Sequence, residues 1–505
     1  MSFLKYFYYI QKRKIKVIHS YIHIYNIYIK KILYINIFLF FFINKIFCIS
    51  NNMSNTVTSA FIDLATFDEI EKYLYNGPTA ITYFVRCVKK ATWFAQVPVT
   101  LTKSGGVADF GNEISFTISR AGDYLMYVWL RATLPAVSAN IQGASAGIRW
   151  AYNIGHNLID LTYISFNDLR VQEFDSYWLD MNAALTVPYS KRNGYNNMIG
   201  AVHDLYQIDS ALPSYTVNVP LPFFFTRDTG IALPTAAIPY NEMKIVVQFR
   251  HWEELLIVEY TDSPSDVTIN NPQNIRLSNV DLWANYAVVS NEERVKMGKC
   301  PRDMVIEQVQ RHSGRPFRPA QVSSGFESYD IRMSHAIKAL YWNVANVTRI
   351  SDFNQAIEWS NYTTGGATSV VTALNNPGSI NGNEGSDPVA LSSLLYENTY
   401  RLHEMGSDYF SLVNPFYHFT SIPERTGYHV YSFAIHPEAQ DPTGSTNFGK
   451  LTNVSLQLTP SNDAILAAQG SSEPTDKAQS FQVFIRALNF NIVRVSGGAL
   501  GLPIL

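Results

Sequence analysis

The sequence predicts an all-β chain whose strands stack into sandwiches, with a few short helices and long loops. Three observations carry this. Apolar and polar residues alternate at period two in many short runs. Gly, Pro, Asn and Asp punctuate those runs, while helical spacing is scarce. Aromatic residues make up 14% of the 505 residues and charged ones only 16%, a composition suited to sheet interiors and large interfaces. Many short strands without regularly alternating helices point to sandwiches rather than to βαβ units. The length sets an expectation of two or three domains.

The first 52 residues read differently from the rest. They hold seven lysines, one arginine and no acid. Taking those eight charges from the formal −2 leaves about −10 for residues 53–505. The main body is mildly acidic and lacks a basic stripe, which argues against direct nucleic-acid binding. The most apolar run of the extension, Ile32 to Ile43, is 12 residues, against the ~20 that a membrane span needs. As a secretory signal it would have a basic region of about 31 residues and no small-x-small cleavage site. The expectation is therefore a mis-called start, with Met53 opening a chain of ordinary composition. A membrane-directed or disordered arm is the alternative.

After Met53, TFDEIEKYLYNGP reads as a short amphipathic helix. Thr66 and Glu69 form a capping box, Phe67, Ile70 and Leu74 share a face, and Gly77-Pro78 ends it. NEISFTIS and YLMYVWLRATLP, separated by the turn SRAGD, read as strands. So do LIDLTYISFNDL, VNVPLPFFFT, MKIVVQFR and LLIVEY. SNEERVKMG is the one further convincing helix, with Ser290 and Glu293 as its capping box. Strands then resume with IRLSNVDLWANYAVVS, MVIEQVQ, IKALYWNVAN, YHVYSFAI, NVSLQL and SFQVFIRALNFNIVRV. Pro-Phe segments from Pro222 and Pro415, each leading through a glycine (Gly230, Gly427) to an Asn-led strand, echo one another and suggest one sandwich built twice. Residues 361–390, rich in Gly, Asn, Ser and Thr, read as an outward surface excursion.

Four motifs invite a chemical reading, and each fails on context. Gly444, Gly449 and Lys450 nearly spell a phosphate loop. Leu451 follows the lysine where a hydroxyl is needed, and the next residues alternate as a strand where a helix is needed. Gly143-x-Ser145-x-Gly147 imitates a nucleophile elbow without the flanking buried strand and helix. HEMGS, from His403, begins like a zinc-protease helix, but Ser407 stands where the second histidine belongs. Sequons at Asn346, Asn361 and Asn453 read as chance occurrences, with Asn361 in a mobile region. Cys48, Cys87 and Cys300 have neither metal nor disulfide spacing, which suggests a reducing compartment. No catalytic, cofactor-binding or metal-ligating residue is assigned, and no enzyme activity is expected.

From about Met53 to Leu505 the chain resembles the major capsid proteins of iridescent viruses, within the nucleocytoplasmic large DNA viruses. The resemblance rests on TSAFIDLATFDEIEKYLY, ITYFVR, SRAGDYL, SFNDL, KRNGYNNMIG, PFFFTRDTGIALP, PYNEMKI, RDMVIEQVQ, SHAIKALYWNV, YENTYRL, DYFSLV, PTGSTNFGKLTN and the terminal LPIL, in that order. It finds no counterpart for residues 1–52. It implies two tandem eight-stranded jelly-roll sandwiches, with an arm over 53–105, the first jelly roll over 106–265 and the second over 266–505. It also implies a homotrimer forming a pseudo-hexagonal capsomer, contacts with neighbouring capsomers, minor capsid proteins and an inner membrane, and assembly in the host cytoplasm. PTGSTNFGKLTN then reads as an architectural loop and strand. The competing reading is a jelly-roll carbohydrate-binding, hydrolytic or host-attachment protein, which needs a concave site with paired carboxylates or a metal cluster.

Peptide mass spectrometry of the natural protein is expected to find no tryptic peptide from within residues 17–30. One such peptide would overturn the start at Met53.

Overall fold

The computed structural model describes residues 55–142, 146–259, 267–322, 325–350, 356–365, 385–470 and 478–503. These fall into two compact units divided after Lys90. The smaller contains helices α1 (Asn55–Ala65) and α2 (Glu69–Tyr75). The capping box expected here exists but sits two residues later: the Asp68 side chain accepts from Glu69 N, and Asp68 N donates to Glu71 Oε2. Thr66 instead donates its hydroxyl to Asp63 O, closing α1. No residue of α2 is buried.

The larger unit contains sixteen principal strands in four sheets. The first eight are β1 (Phe94–Thr100), β2 (Glu113–Thr117), β3 (Tyr124–Leu134), β4 (Ile159–Phe166), β5 (Leu169–Asp175), β6 (Tyr215–Pro220), β7 (Met243–Phe249) and β8 (Ser278–Val289). They pair antiparallel in the orders β1-β8-β3-β6 and β2-β7-β4-β5, with a short strand, Thr102–Gly106, on the edge beyond β2. The second eight are β9 (Arg302–Arg311), β10 (Glu327–Asp330), β11 (Ala336–Asn346), β12 (Val389–Tyr396), β13 (Thr399–Gly406), β14 (His429–Ser432), β15 (Val454–Pro460) and β16 (Phe481–Ser496). Their orders are β9-β16-β11-β14 and β10-β15-β12-β13. Adding eight to each strand of the first sandwich reproduces the second. Each is an eight-stranded jelly roll, so the chain is a tandem double jelly roll.

The expected division at 265/266 does not match the strand pairing. β8 lies beyond it, yet hydrogen-bonds β1 on one side and β3 on the other. β1 in turn lies inside the segment read as an arm. By pairing, the first jelly roll runs from Phe94 to Val289. The Pro-Phe echo also fails topologically. The Pro222 segment follows β6, whereas the Pro415 segment precedes β14, the strand that corresponds to β6. The repeat it suggested is real, but it resides in strand order.

Helices are more numerous than the sequence suggested. α3 (Ser176–Thr186) follows β5 directly and is buried along nearly its whole length, so no amphipathic stripe marks it. α4 (Tyr189–Ile199) is the opposite case, mostly polar and burying only Ile199. α5 (Asn291–Lys299), between the two jelly rolls, matches SNEERVKMG, but Ser290 makes no side-chain cap bond. It is tied down instead by Arg294, whose Nε and Nη2 donate to Asp123 at 2.7 and 2.9 Å. α6 (Asn462–Gln469) follows β15 and is capped by Ser461.

Strand alternation explains the core. Ile114 and Phe116 of β2 point inward. In β3 a register irregularity opposite Asn285/Tyr286 lets both Leu125 and Val128 face the core. β11 is buried on both faces because each faces a different core. Leu340, Trp342 and Val344 pack inside the second jelly roll, while Ala339, Tyr341 and Ala345 join the core of the first.

Trp342 is 1% exposed and packs edge-on against Phe410 at 4.8 Å between ring centroids. Trp342→Ala is expected to cost about 3–5 kcal/mol in chemical denaturation. Trp93→Ala, at an exposed position, should change stability by no more than about 0.5 kcal/mol.

Candidate functional site

The densest chemistry in the molecule lies in the seam between the jelly rolls. Asp175 ends β5 and caps α3 by accepting from Trp178 N at 3.0 Å. The same carboxylate receives the Arg486 guanidinium of β16, from the other jelly roll, through both oxygens. Burial alone would push the Asp175 carboxyl up, but Arg486, the Trp178 N–H and Arg311 together outweigh it and hold the pKa below the usual carboxylate value. Tyr177 of α3 stacks on Phe484 at 4.0 Å, and Trp178 meets Tyr341 edge-on at 5.0 Å. The Gln308 side chain of β9 donates to Val171 O of β5, and Arg311 of β9 pairs with Glu173 at 2.9 Å.

Further along the seam, Asp180 of α3 accepts from Asn153, from Tyr362 at 2.9 Å and from Tyr428 at 3.0 Å. Arg149, fully buried, pairs with Glu259 of its own jelly roll and with Glu358 of the other at 2.6 Å. Lys338 and Glu307 form a buried pair that Arg227 of the first jelly roll joins at 3.1 Å. Burial lowers the Lys338 pKa, and Glu307 offsets part of that effect. At the chain end, Asn241 exchanges two hydrogen bonds with the backbone of Leu500. Gly498, with φ +83°, allows this approach, since a Cβ there would lie 2.6 Å from the Tyr240 ring.

Buried ion pairs of this kind are costly to break, because removing one member strands the other without solvation. They also fix geometry. The seam is therefore a locked joint, and the two jelly rolls form one body.

The sequence motifs lie elsewhere and serve the fold. Lys450 closes a 3-10 turn, Phe448–Lys450, and the chain runs on into β15, so the phosphate-loop context is missing as expected. Gly444 at φ +134° runs beside Phe433 O, 2.8 Å from where a Cβ would stand. His403 lies in β13, a strand. Ser145 lies outside the described residues, and the chain after it is the strand Gly147–Trp150. Asn361 is 2% exposed and donates to Gly365 O, which corrects its assignment to a mobile region. The outward excursion expected over 361–390 is likewise corrected at both ends: Tyr362 is buried, and Val389 begins β12. Residues 366–384 lie outside the described residues. Cys87 and Cys300 are free and exposed. Among the described residues no group of three or more His, Cys, Asp or Glu is placed to hold a metal.

Two jelly rolls of identical strand order, fused through a locked seam, define a double jelly-roll protein. The comparisons with known proteins agree. Residues 82–289 match the family described as "Major capsid protein N-terminus", and residues 293–501 match "Large eukaryotic DNA virus major capsid protein". The two matches meet where strand pairing divides the jelly rolls. The chain is 49% identical over 472 residues to the major capsid protein of Costelytra zealandica iridescent virus, covering 90% of this chain and 99% of the relative. It is 48% identical over 479 residues to that of Invertebrate iridescent virus 6, with the same shares. Among solved structures, the PBCV-1 virus capsid protein superposes with a TM-score of 0.66 at 22% identity, over 84% of this chain and 100% of that one. The Faustovirus major capsid protein does so at 0.64 and 11% identity, over 85% and 94%. The chain belongs to the major capsid protein family of the large eukaryotic DNA viruses, among those of the invertebrate iridescent viruses. It is a virion capsid component.

The seam residues escaped the motif search because they form no motif. The available signal was a charge inside a strand apolar on both faces: Lys338 in AIKALYWNV and Arg486 in FQVFIRALNF.

His156, 1% exposed beside the Tyr195 hydroxyl and near Asp180, has its pKa lowered by burial from 6.5 to about 4. Unfolding then takes up a proton between those values. Stability is expected to be level for this group above 6.5, to fall by about 3 kcal/mol as pH drops to 4, and to level off below. Denaturation midpoints against pH check this, and His156→Gln should flatten that part of the profile.

Proposed function

We propose that this chain assembles as a homotrimer whose six jelly rolls form a pseudo-hexagonal capsomer, the repeating unit of an icosahedral shell over an inner membrane. The single observation that carries this is the repeated strand order of two jelly rolls in one locked chain. Three copies related by a three-fold axis place six similar sandwiches around it, so the outline is nearly six-fold and tiles a shell. A cyclic trimer closes through one heterologous interface. That interface should be obligate in size, above about 2,000 Å². Contacts between capsomers should be smaller and more polar, so that assembly remains correctable.

Exposed apolar side chains support extensive burial on assembly. Leu412, Val413, Phe416 and Tyr417 are 51%, 41%, 65% and 70% exposed on one helical segment. In the smaller unit, Phe67, Ile70 and Leu74 are exposed as well. That face suits a neighbouring capsomer or a minor capsid protein on the membrane side. The acidic main body favours protein and membrane-side contacts over direct nucleic-acid contact. Free exposed Cys87 and Cys300 suit assembly in the host cytoplasm.

Native mass spectrometry of the purified full chain should give a dominant trimer that survives dilution. A stable monomer under the same conditions would contradict the capsomer reading.

A further inference from the structure

Beside the Asp175–Arg486 pair the seam opens into a cleft of about 680 Å³. Tyr177, Phe484 and Trp359 supply aromatic lining; Tyr177 stacks on Phe484, and the Arg250 guanidinium lies 3.7 Å from the Trp359 ring centroid. Its wall carries three guanidinium–carboxylate pairs: Arg250–Asp160 at 3.3 Å, Arg311–Glu173 at 2.9 Å, and Arg486–Asp175. The Gln482 side chain lines it too. The Tyr177 hydroxyl is buried and has no hydrogen-bond partner among the described residues. A volume of this size, lined by aromatic rings and convergent polar groups, has the anatomy of a small-molecule site.

The charges select the ligand. Each cation in the wall already has its carboxylate, so the pairs cancel. A ligand with net charge must displace one member of a pair and leave the other uncompensated, which is costly at a partly buried site. A neutral, hydroxyl-rich ligand meets no such cost. Its oxygens accept from guanidinium N–H groups, its hydroxyls donate to spare carboxylate lone pairs, and its C–H faces pack on the aromatic lining. We propose that the cleft binds a neutral saccharide of one or two rings. Both jelly rolls supply the wall, so the bound sugar spans the seam. The site does not depend on trimer formation, since every group named comes from one chain.

The test uses the purified full chain on an array of neutral, sialylated and sulfated oligosaccharides, with saturation-transfer NMR on the neutral ones. Neutral oligosaccharides should bind. Gln482→Ala should weaken them at least tenfold, and Ser313→Trp, which puts a bulky ring in place of a small lining residue, should abolish binding. Both variants should keep the wild-type melting temperature and oligomeric state without sugar. The proposal is overturned if no neutral oligosaccharide binds at millimolar concentration. Binding confined to acidic glycans, or unchanged in both variants, overturns it equally.

Discussion

The structure depends on what Asp175 holds together. It ends β5, starts α3 and receives Arg486 from the central strand of the other jelly roll. A carboxylate buried this deeply is tolerated only because the guanidinium and the helix N-terminus both compensate it. Those compensations come from different jelly rolls. Neither sandwich can present this arrangement satisfied without the other, so folding and docking are one problem here.

The same logic accounts for the strands on either side. β11 and β16 carry apolar residues on both faces because one face fills their own core and the other continues the core of the first jelly roll. The joint therefore combines hydrophobic area, which supplies most of the attraction, with ion pairs, which set the angle. A fixed angle matters for a capsid protein. Small errors in the orientation of one sandwich against the other would accumulate around a ring and across a lattice.

Much of this was legible in the sequence. Period-two runs located most principal strands, and the resemblance supplied the two tandem jelly rolls. The seam was not legible as a site, because pairs such as Asp175–Arg486 and Asp180–Tyr428 join residues hundreds of positions apart. α3 was missed because a helix buried all round has no stripe. α4 was missed because a polar helix has none either. The boundary at 265/266 was misplaced because β8 follows a long connection before returning to the first sheet. Pairing decides that, and local pattern does not record it. SRAGD, read as a turn, proves to anchor the connection into β7 and the C-terminal end of the first jelly roll. Arg120 donates to the carbonyls of Ile238, Pro239 and Asn241, and Asp123 receives Val289 N and Arg294.

The most direct test of the locked seam is differential scanning calorimetry of the intact protein and of Arg486→Met. If the seam couples the jelly rolls, the wild type unfolds in a single cooperative transition, and the variant separates into two at lower temperature. Two independent transitions in the wild type, unmoved by the substitution, would contradict the claim that the two sandwiches act as one body.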